Sequence, residues 1–432
     1  MTTEIDAVER LSLPAYQREA MDDLRAQLRT VAETPFYRRK FEEAGVDPAD
    51  VESPRDLRAL PFTRKDELRT SQERAPPFGG HRACDPADIA RVYSTSGTSG
   101  RPTFVGLTDS DLDVWTRASA RAARAAGLGR GDVVVGVLAG GPFAGAVTYD
   151  GHRATGATIA PVGPGNTGRV LTLFENGCGT ALLATPSYAE YLLEAVRERD
   201  VDPASLGIER MLVGGEPGAV DVRERVEPAF DCVLTESMGN SDVSISLWGE
   251  CRHRTGMHFT GQGAAYPELL DPETGEPLPW TVGTRGELVY TSLNRECVPL
   301  VRFRSGDRVE VVAEECPCGR ETACIRVLGR TDEMFIVRGV NVFPSAVKSV
   351  VADLPGTTAH LRIHLPEGQT HVDAPVPITV ERTTDADVDA EALAERVQTA
   401  LRERLVFRAD VDVVPAGTLD RPQYKARLIE RV

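Results

Sequence analysis

The sequence predicts an α/β fold in two domains: a large N-terminal domain with mainly parallel βαβ sheets, then a small C-terminal α+β domain. Three observations carry this. Short apolar runs such as Asp132–Leu138 alternate with amphipathic stretches of helical length, the order that yields parallel strands joined by helical crossovers. Glycine-rich segments follow several of these runs, where loops leave the carboxyl ends of strands and ligands bind in such sheets. The chain has 432 residues, 41% of them hydrophobic and 26% charged, which is enough for two domains and a core of good size.

Residues 1–75 read as a helical N-terminal segment. Leu11–Thr30 sets apolar residues near helical spacing among charges. The aromatic and basic residues of Pro35–Phe41 and Asp56–Asp66 suit a cap packed on the main domain. Seven of the ten residues from Tyr93 to Pro102 are Gly, Ser or Thr, between apolar stretches at Ile89–Val92 and Phe104–Leu107. That is strand, loop, strand. Ser94, Thr95, Ser96, Gly97, Thr98, Ser99 and Gly100 offer hydroxyls and approachable N–H groups that suit a triphosphate. No Lys follows Gly100, so this is not the common P-loop. A flexible turn is the alternative, and Pro102 and the flanking strands argue against it.

Ser110–Ala126 reads as an amphipathic helix, Asp132–Leu138 as a buried strand, Gly140–Tyr149 as a Gly-rich segment, and Ala154–Pro161 as ending in a short strand. Ala181–Ala184, Met211–Val213 and Cys232–Leu234 are further strands, with a helix at Tyr188–Arg197. Gly214-Gly215-Glu216-Pro217-Gly218 either lets backbone pass a flat ring or turns into a helix at Asp221–Val226. Met238-Gly239-Asn240-Ser241-Asp242 sets an acid at a strand end, as a magnesium ligand or a helix cap. Cys251, His258, Cys316 and Cys318, with His253 in reserve, suit a closed tetrahedral zinc; the alternative is two unrelated turns with reduced thiols. Pro299–Asp307 ends an apolar strand on a carboxylate able to accept both ribose hydroxyls, or forms a Gly-Asp hairpin turn. Pro344–Leu354 and Ala390–Arg404 read as helices and Ala359–Leu365, Pro377–Glu381 and Val411–Val414 as strands of the small domain. By residue type alone Lys425 is a solvated charge on a loop.

A net charge of -16 without a basic stripe disfavours general nucleic-acid binding. The start lacks the basic and apolar runs of a signal peptide, and no stretch approaches ~20 apolar residues, so no membrane span is expected. Eight irregularly spaced cysteines fit a reducing cytoplasm, not a disulfide framework.

Several of these segments together resemble, in type and order, the adenylate-forming enzymes: acyl-CoA synthetases, luciferases and adenylation domains. The match is to the phenylacetate–CoA ligase branch. It rests on the 93–102 loop, with Thr103 where many members carry Lys, and on PFYRRKFEEAG (Pro35–Gly45) and DLRALPFTRKDEL (Asp56–Leu68). It rests most specifically on RFRSGD (Arg302–Asp307) followed by GRTDEMFIVRGVNVFP (Gly329–Pro344). The resemblance implies ATP, Mg²⁺ and coenzyme A as cofactors and an aryl carboxylate as substrate. ATP and AMP would meet Ser94–Gly100, Gly215, Glu216, Pro217, Met238, Gly239, Asn240, Ser241, Asp307 on the ribose, and Arg330 on ribose or phosphate. Asp242 would hold magnesium and Lys425 would be the catalytic lysine. A hinge at Asp332 would divide the chain into residues 1–331 and a mobile 332–432, with Gly339 on the thiol tunnel.

Two departures stand out: Met238 replaces an aromatic residue and Asp242 replaces Glu. The acyl pocket would comprise Phe143, Ala144, Tyr149, Gly214 and Gly215, beside Glu216 and Met238. Tyr149 stands where the family often has His. Its hydroxyl, or Glu216, could read a ring substituent, which favours a substituted benzoate over phenylacetate. The branch often shows a similar Cys/His set. The implied activity is an ATP-dependent aryl-acid–CoA ligase. Rival readings are an enzyme passing aryl-AMP to a carrier-protein phosphopantetheine or an amine in secondary metabolism, and a nucleotide-binding protein without turnover. A homodimer is compatible with the sequence, which does not decide it.

Overall fold

The computed structural model describes residues 5–95, 103–141, 145–216, 219–331, 334–337, 340–367, 369, 371–384, 389–420 and 428–432. The chain forms two compact units: Met1–Ala184 with Ala204–Gly215 and Phe230–Arg326, and Thr185–Pro203 with Glu216–Ala229 and Val327–Val432. No helix among the described residues is long and apolar enough to cross a membrane.

The first unit opens with the expected helical cap: α1 (Leu13–Glu19), α2 (Met21–Ala32), α3 (Pro35–Ala44) and α4 (Lys65–Arg74). Thr34 caps α3 by accepting from Tyr37 N, Pro35 supplies its first turn, and Gly45 ends it at φ 65°, as helix termini prefer. Leu24, Leu28 and Val31 bury one face of α2. Polar ties then fix the cap. Tyr16 Oη donates to Ala265 O at 2.9 Å, and the Gln27 amide brackets the Arg295 backbone at 2.7 and 2.9 Å. Thr63 exchanges backbone bonds with Arg302 and Arg304, which locks the lead-in to α4.

Strands β1 (Arg91–Ser94) and β2 (Phe104–Leu107) form an antiparallel hairpin. An eleven-stranded sheet follows, from β3 (Val133–Gly136), β4 (Thr158–Pro161), β5 (Ala181–Ala184), β6 (Arg210–Gly214), β7 (Val233–Asn240), β8 (Ser244–Glu250), β9 (Met257–Phe259), β10 (Ala265–Leu270), β11 (Arg285–Ser292), β12 (Phe303–Ala313) and β13 (Cys324–Arg330), ordered β10-β11-β12-β13-β9-β8-β7-β6-β5-β3-β4. The run β4-β3-β5-β6-β7 is parallel, as expected. The pairs β7–β8, β8–β9, β9–β13, β10–β11 and β11–β12 are antiparallel. This half escapes a sequence reading because β8, β10 and β11 are buried on nearly every residue and show no alternation.

Helix α5 (Asp109–Ala125) packs on α6 (Gly145–Ala154) and β8; α7 (Thr167–Glu175) follows β4. The Gly-rich reading of Gly140–Tyr149 is corrected from Gly145 onward, where α6 begins. Its glycines serve close packing: a Cβ on Gly151 would meet Ser119 Cβ at 2.3 Å, and one on Gly145 would meet Ala139 O at 2.2 Å. At the start of α5, the buried Asp111 carboxylate accepts from Thr108, Glu296 and Cys297 N and faces Arg295 at 3.7 Å. Asp111→Ala strands these donors and a buried guanidinium, and is expected to cost about 3–5 kcal/mol in urea denaturation.

The second unit contains α8 (Pro186–Arg197), α9 (Ala219–Phe230, up to Ala229), β14 (Phe335–Val337), β15 (Val340–Val342), α10 (Pro344–Ala352), β16 (Thr357–Leu365), β17 (His371–Val372), β18 (Val376–Arg382), α11 (Ala390–Leu405), β19 (Ala409–Val414) and β20 (Ile429–Arg431). Its sheets run β15-β14-β17 and β19-β18-β16-β20. Val347, Val351, Leu361, Ile363, Leu393 and Val397 build its core.

Candidate functional site

The ends of the Gly/Ser loop are held together before the loop begins. Thr95 N donates to Thr103 O at 2.9 Å, and Thr103 N donates to Thr95 Oγ1 at 3.1 Å. Ser94 ends β1, and Thr95 is buried. Arg91 on β1 reaches Asp150 on α6 at 2.5 Å, tying the hairpin to the helix that carries Tyr149. Ser96–Gly100, Phe143, Ala144, Pro217, Asp332, Gly339 and Lys425 lie outside the described residues.

Met238, Gly239 and Asn240 end β7, and Asp242 lies in the turn to β8. The register shifts between Met238 and Asn240. Gly239 permits that bulge: a Cβ there would lie 2.1 Å from Ile245 O. Asn240 shapes the turn, its Oδ1 accepting from Asp242 N at 3.0 Å. Asp242, 7% exposed, meets an ammonium the sequence reading had assigned only to the cap. Lys65 Nζ lies 2.6 and 2.5 Å from its two oxygens and 2.6 Å from Thr103 Oγ1, which itself donates to Asp242 Oδ1 at 3.2 Å. The carboxylate expected to take magnesium is thus bonded to Lys65 on both oxygens. Lys65 occupies the first turn of α4, where the Glu67 carboxylate accepts from Arg64 N at 2.7 Å. Behind the pair, burial pushes His81 down to about 4, with Asp242 opposing and Lys65 reinforcing.

Thr103 stands where many members of the resembled family carry lysine, and Lys65 lies within the Asp56–Leu68 motif, but neither feature alone brings Lys65 to Asp242.

Gly214 ends β6 beside Ser237 of β7. A Cβ on Gly214 would meet Ser237 O at 2.5 Å, and Gly215 adopts φ 88°; both need glycine. Met238 pairs across the strands with Trp248, whose Nε1 donates to Tyr290 Oη at 2.9 Å. Burial, then the nearby Asp307 carboxylate, raises the Tyr290 pKa well above the usual phenol value. A chain of contacts thus runs from Met238 through Trp248 and Tyr290 to Asp307. Asp307 is neither at a strand end nor in a hairpin turn. It lies inside β12, beside Gly306 at φ 78° and opposite an irregularity between Glu287 and Val289. A bulge mimics a turn in sequence because both use Gly at positive φ.

Tyr149 Oη donates to Leu138 O at 2.7 Å, so its proton is committed to backbone. The buried Glu216 carboxylate accepts from Ser187 N at 2.6 Å through Oε1, at the start of α8. Arg330 ends β13, its carbonyl accepting from Met334 N at 3.0 Å.

Cys251, His258, Cys316 and Cys318 converge, with one ligand atom of each within 4.8 Å of all the others. Cys251 Sγ and Cys316 Sγ are 3.5 Å apart, and Cys318 Sγ lies 3.5 Å from His258 Nε2. A tetrahedral zinc with Zn–S of about 2.3 Å sets such edges near 3.5–3.8 Å, so the donor set fits that ion. His253 is not in the cluster. Thr255 and Cys324 flank it: Thr255 Oγ1 donates to Cys316 Sγ at 3.2 Å, and Cys324 Sγ is 3.6 Å from His258 Nδ1. Burial opposes charge on His258, but hydrogen bonds with Cys318 and Cys324 hold its pKa near 10. A hydrogen bond from Cys251, and then His258, pulls the Cys318 thiol toward thiolate.

Residues 20–294 match the AMP-binding enzyme family, and residues 339–431 match the AMP-binding enzyme C-terminal domain. The phenylacetate-coenzyme A ligase of Thermus thermophilus is 34% identical, over 97% of this chain and 96% of that protein. A solved 2-hydroxyisobutyryl-CoA ligase in its postadenylation state with 2-HIB-AMP covers 99% of this chain and 93% of its own, at 28% identity and TM-score 0.89. The same ligase with 2-HIB-AMP and CoA in the thioesterification state gives 30% identity and TM-score 0.71, over 98% and 91%. With the loop hairpin, the β7 acid and the two family domains in order along nearly the whole chain, this protein belongs to the phenylacetate–CoA ligase-like branch of the AMP-binding, adenylate-forming enzymes.

Proposed function

We propose that the protein is an AMP-forming aryl-acid–CoA ligase. The carrying observation is its full-length relationship to phenylacetate-coenzyme A ligases. In the first step a carboxylate oxygen attacks the α-phosphate of ATP, giving acyl-AMP and pyrophosphate. In the second the CoA thiol adds to the acyl carbonyl and AMP leaves. Charge grows on phosphate oxygens in the first step, so fixed cations and donors lower the barrier most. Lys65, the Ser94–Gly100 loop and Lys425 are the groups assigned to that task. Met238–Ser241 and Gly215 would flank the base, with Asp307 and Arg330 on the ribose. Phe143, Ala144, Tyr149 and Gly214 would line the acid.

Asp242 would hold Mg²⁺ once Lys65 yields one carboxylate oxygen; bound there, the ion would neutralise phosphate charge. The second domain would begin at the Asp332 hinge, with Gly339 on the thiol path.

Glu216 is engaged at α8 and Tyr149 donates to Leu138, so neither supports the preference for a substituted benzoate. Phenylacetate is the better first acid, and the relatives' name supports it. Free CoA is favoured over a carrier protein or an amine as acceptor, for the same reason. ATP and CoA as substrates, and the relationship to CoA ligases, support action in the cytoplasm.

Pyrophosphate exchange across phenylacetate, benzoate, aminobenzoates and hydroxybenzoates, followed by CoA addition, tests the reading. Exchange with an aryl acid and AMP release on adding CoA are expected; exchange driven only by aliphatic acids sinks it.

For the cysteine cluster we propose one structural zinc. Metal analysis should find about one zinc per chain. Chelation, or Cys316→Ser, should lower the melting temperature by about 5 °C or more. Metal-free protein with an unchanged melting temperature refutes the site.

A further inference from the structure

We propose that Lys348 is a positioning residue for acyl-AMP formation, seating the C-terminal family domain on α8 and α9 through a buried ion cluster. The inference rests on the two-step reading above. The two family matches assign α8 and α9 to one domain and α10 to the other, yet all three belong to one compact unit. The joint between the two families is therefore inside that unit, and its chemistry is polar.

Lys348 Nζ on α10 donates to Glu190 Oε2 on α8 at 3.0 Å, both side chains being 9% exposed. Arg225 on α9 pairs with the other Glu190 oxygen. The next residue of α10 repeats the link, Ser349 Oγ donating to Asp221 Oδ1 at 3.0 Å. One turn further along α8, Glu194 Oε1 lies 3.4 Å from His360 Nε2.

Two features mark this as more than packing. Lysine is scarce: four of the 49 basic residues are Lys, namely Lys40, Lys65, Lys348 and Lys425, so a buried one is not a routine surface charge. Burial, and after it the neighbouring Arg225, disfavour its charged form, while Glu216 and Asp221 favour it. A well-packed apolar residue would stabilise a permanent joint at least as well as a buried ion pair. An ionic joint differs on opening, since each partner regains hydration. That suits a contact made in one half-reaction and broken in the other.

The seat also has a location that selects the step. Glu216, from the Gly214–Gly218 motif, binds the first turn of α8 at Ser187, three residues before Glu190. α9 follows the same motif directly. Lys348 thus docks the C-terminal domain on the helices that frame the nucleotide motif. A held C-terminal domain is what acyl-AMP formation requires if a residue of that domain is to reach the phosphates.

The test compares wild type, Lys348→Met, Lys348→Arg and Glu190→Gln in two assays. One is pyrophosphate exchange with phenylacetate and ATP. The other is phenylacetyl-CoA formation from supplied phenylacetyl-AMP and CoA. Lys348→Met and Glu190→Gln should lower exchange about tenfold and change thioester formation less than about twofold, with Lys348→Arg recovering most of the loss. Equal losses in both assays, no loss, or a loss confined to thioester formation overturns the assignment. Should Lys348→Met fail to fold, the Glu190→Gln split decides. Wild type inactive in both assays would instead condemn the ligase reading itself.

Discussion

Lys425→Ala should reduce acyl-AMP formation by about 10²–10³-fold while leaving thioester formation from supplied acyl-AMP and CoA within about threefold of wild type. The reasoning is electrostatic. Negative charge concentrates on the phosphate oxygens when the carboxylate attacks, and an ammonium held there in a site without bulk water interacts far more strongly than in solution. Thioester formation builds no such charge on a triphosphate, so the same side chain is idle in that step. Lys425 lies four residues before β20, whose pairing with β16 anchors the strand to the small domain. Its delivery to the nucleotide then depends on that domain's orientation, which can change between steps. Pyrophosphate exchange and single-turnover thioester formation separate the two. Comparable losses in both would remove Lys425 from its assigned role.

Lys65→Ala is expected to lower kcat/KM for ATP by about 10²-fold in pyrophosphate exchange. This ammonium touches Asp242 and Thr103 at the neck of the phosphate loop. Many family members supply a lysine from position 103 itself. Here position 103 is Thr, and a lysine on α4 brings an ammonium to within 2.6 Å of the Thr103 hydroxyl. Lys65→Ala/Thr103→Lys should therefore recover part of the activity. Removing the ammonium also leaves the Asp242 carboxylate buried with one cation fewer, so the melting temperature should be followed in parallel. Exchange kinetics within about threefold of wild type would rule Lys65 out as a phosphate-side cation.

What could be read from the chain follows from how its parts are buried. The parallel strands β3, β5 and β6 are short apolar runs flanked by helices, and their order was visible. The helix α6 was hidden because Gly145 and Gly151, which normally weaken helices, are there to let neighbours approach. The Cys/His cluster was legible as residue types, since Cys and His are rarely grouped without cause. Which of His253 and His258 joined them was a matter of strand register: β9 pairs His258 with Cys324 on β13, while His253 stays outside. Lys65 and Glu216 show the opposite limit. Their roles depend on partners 177 and 29 residues away, and no local pattern encodes such a meeting.

One buried ion pair ties the helical cap to the loop that carries the cysteine cluster. Glu9 is buried and bonds Arg320 at 2.7 Å, across 311 residues of sequence, and Arg320 also reaches Cys318 Sγ at 3.8 Å. A contact of such long sequence separation closes a large loop, so this turn docks only once distant strands have folded. Because Arg320 touches both Glu9 and Cys318, docking of that turn and ordering of the Cys316–Cys318 loop are linked.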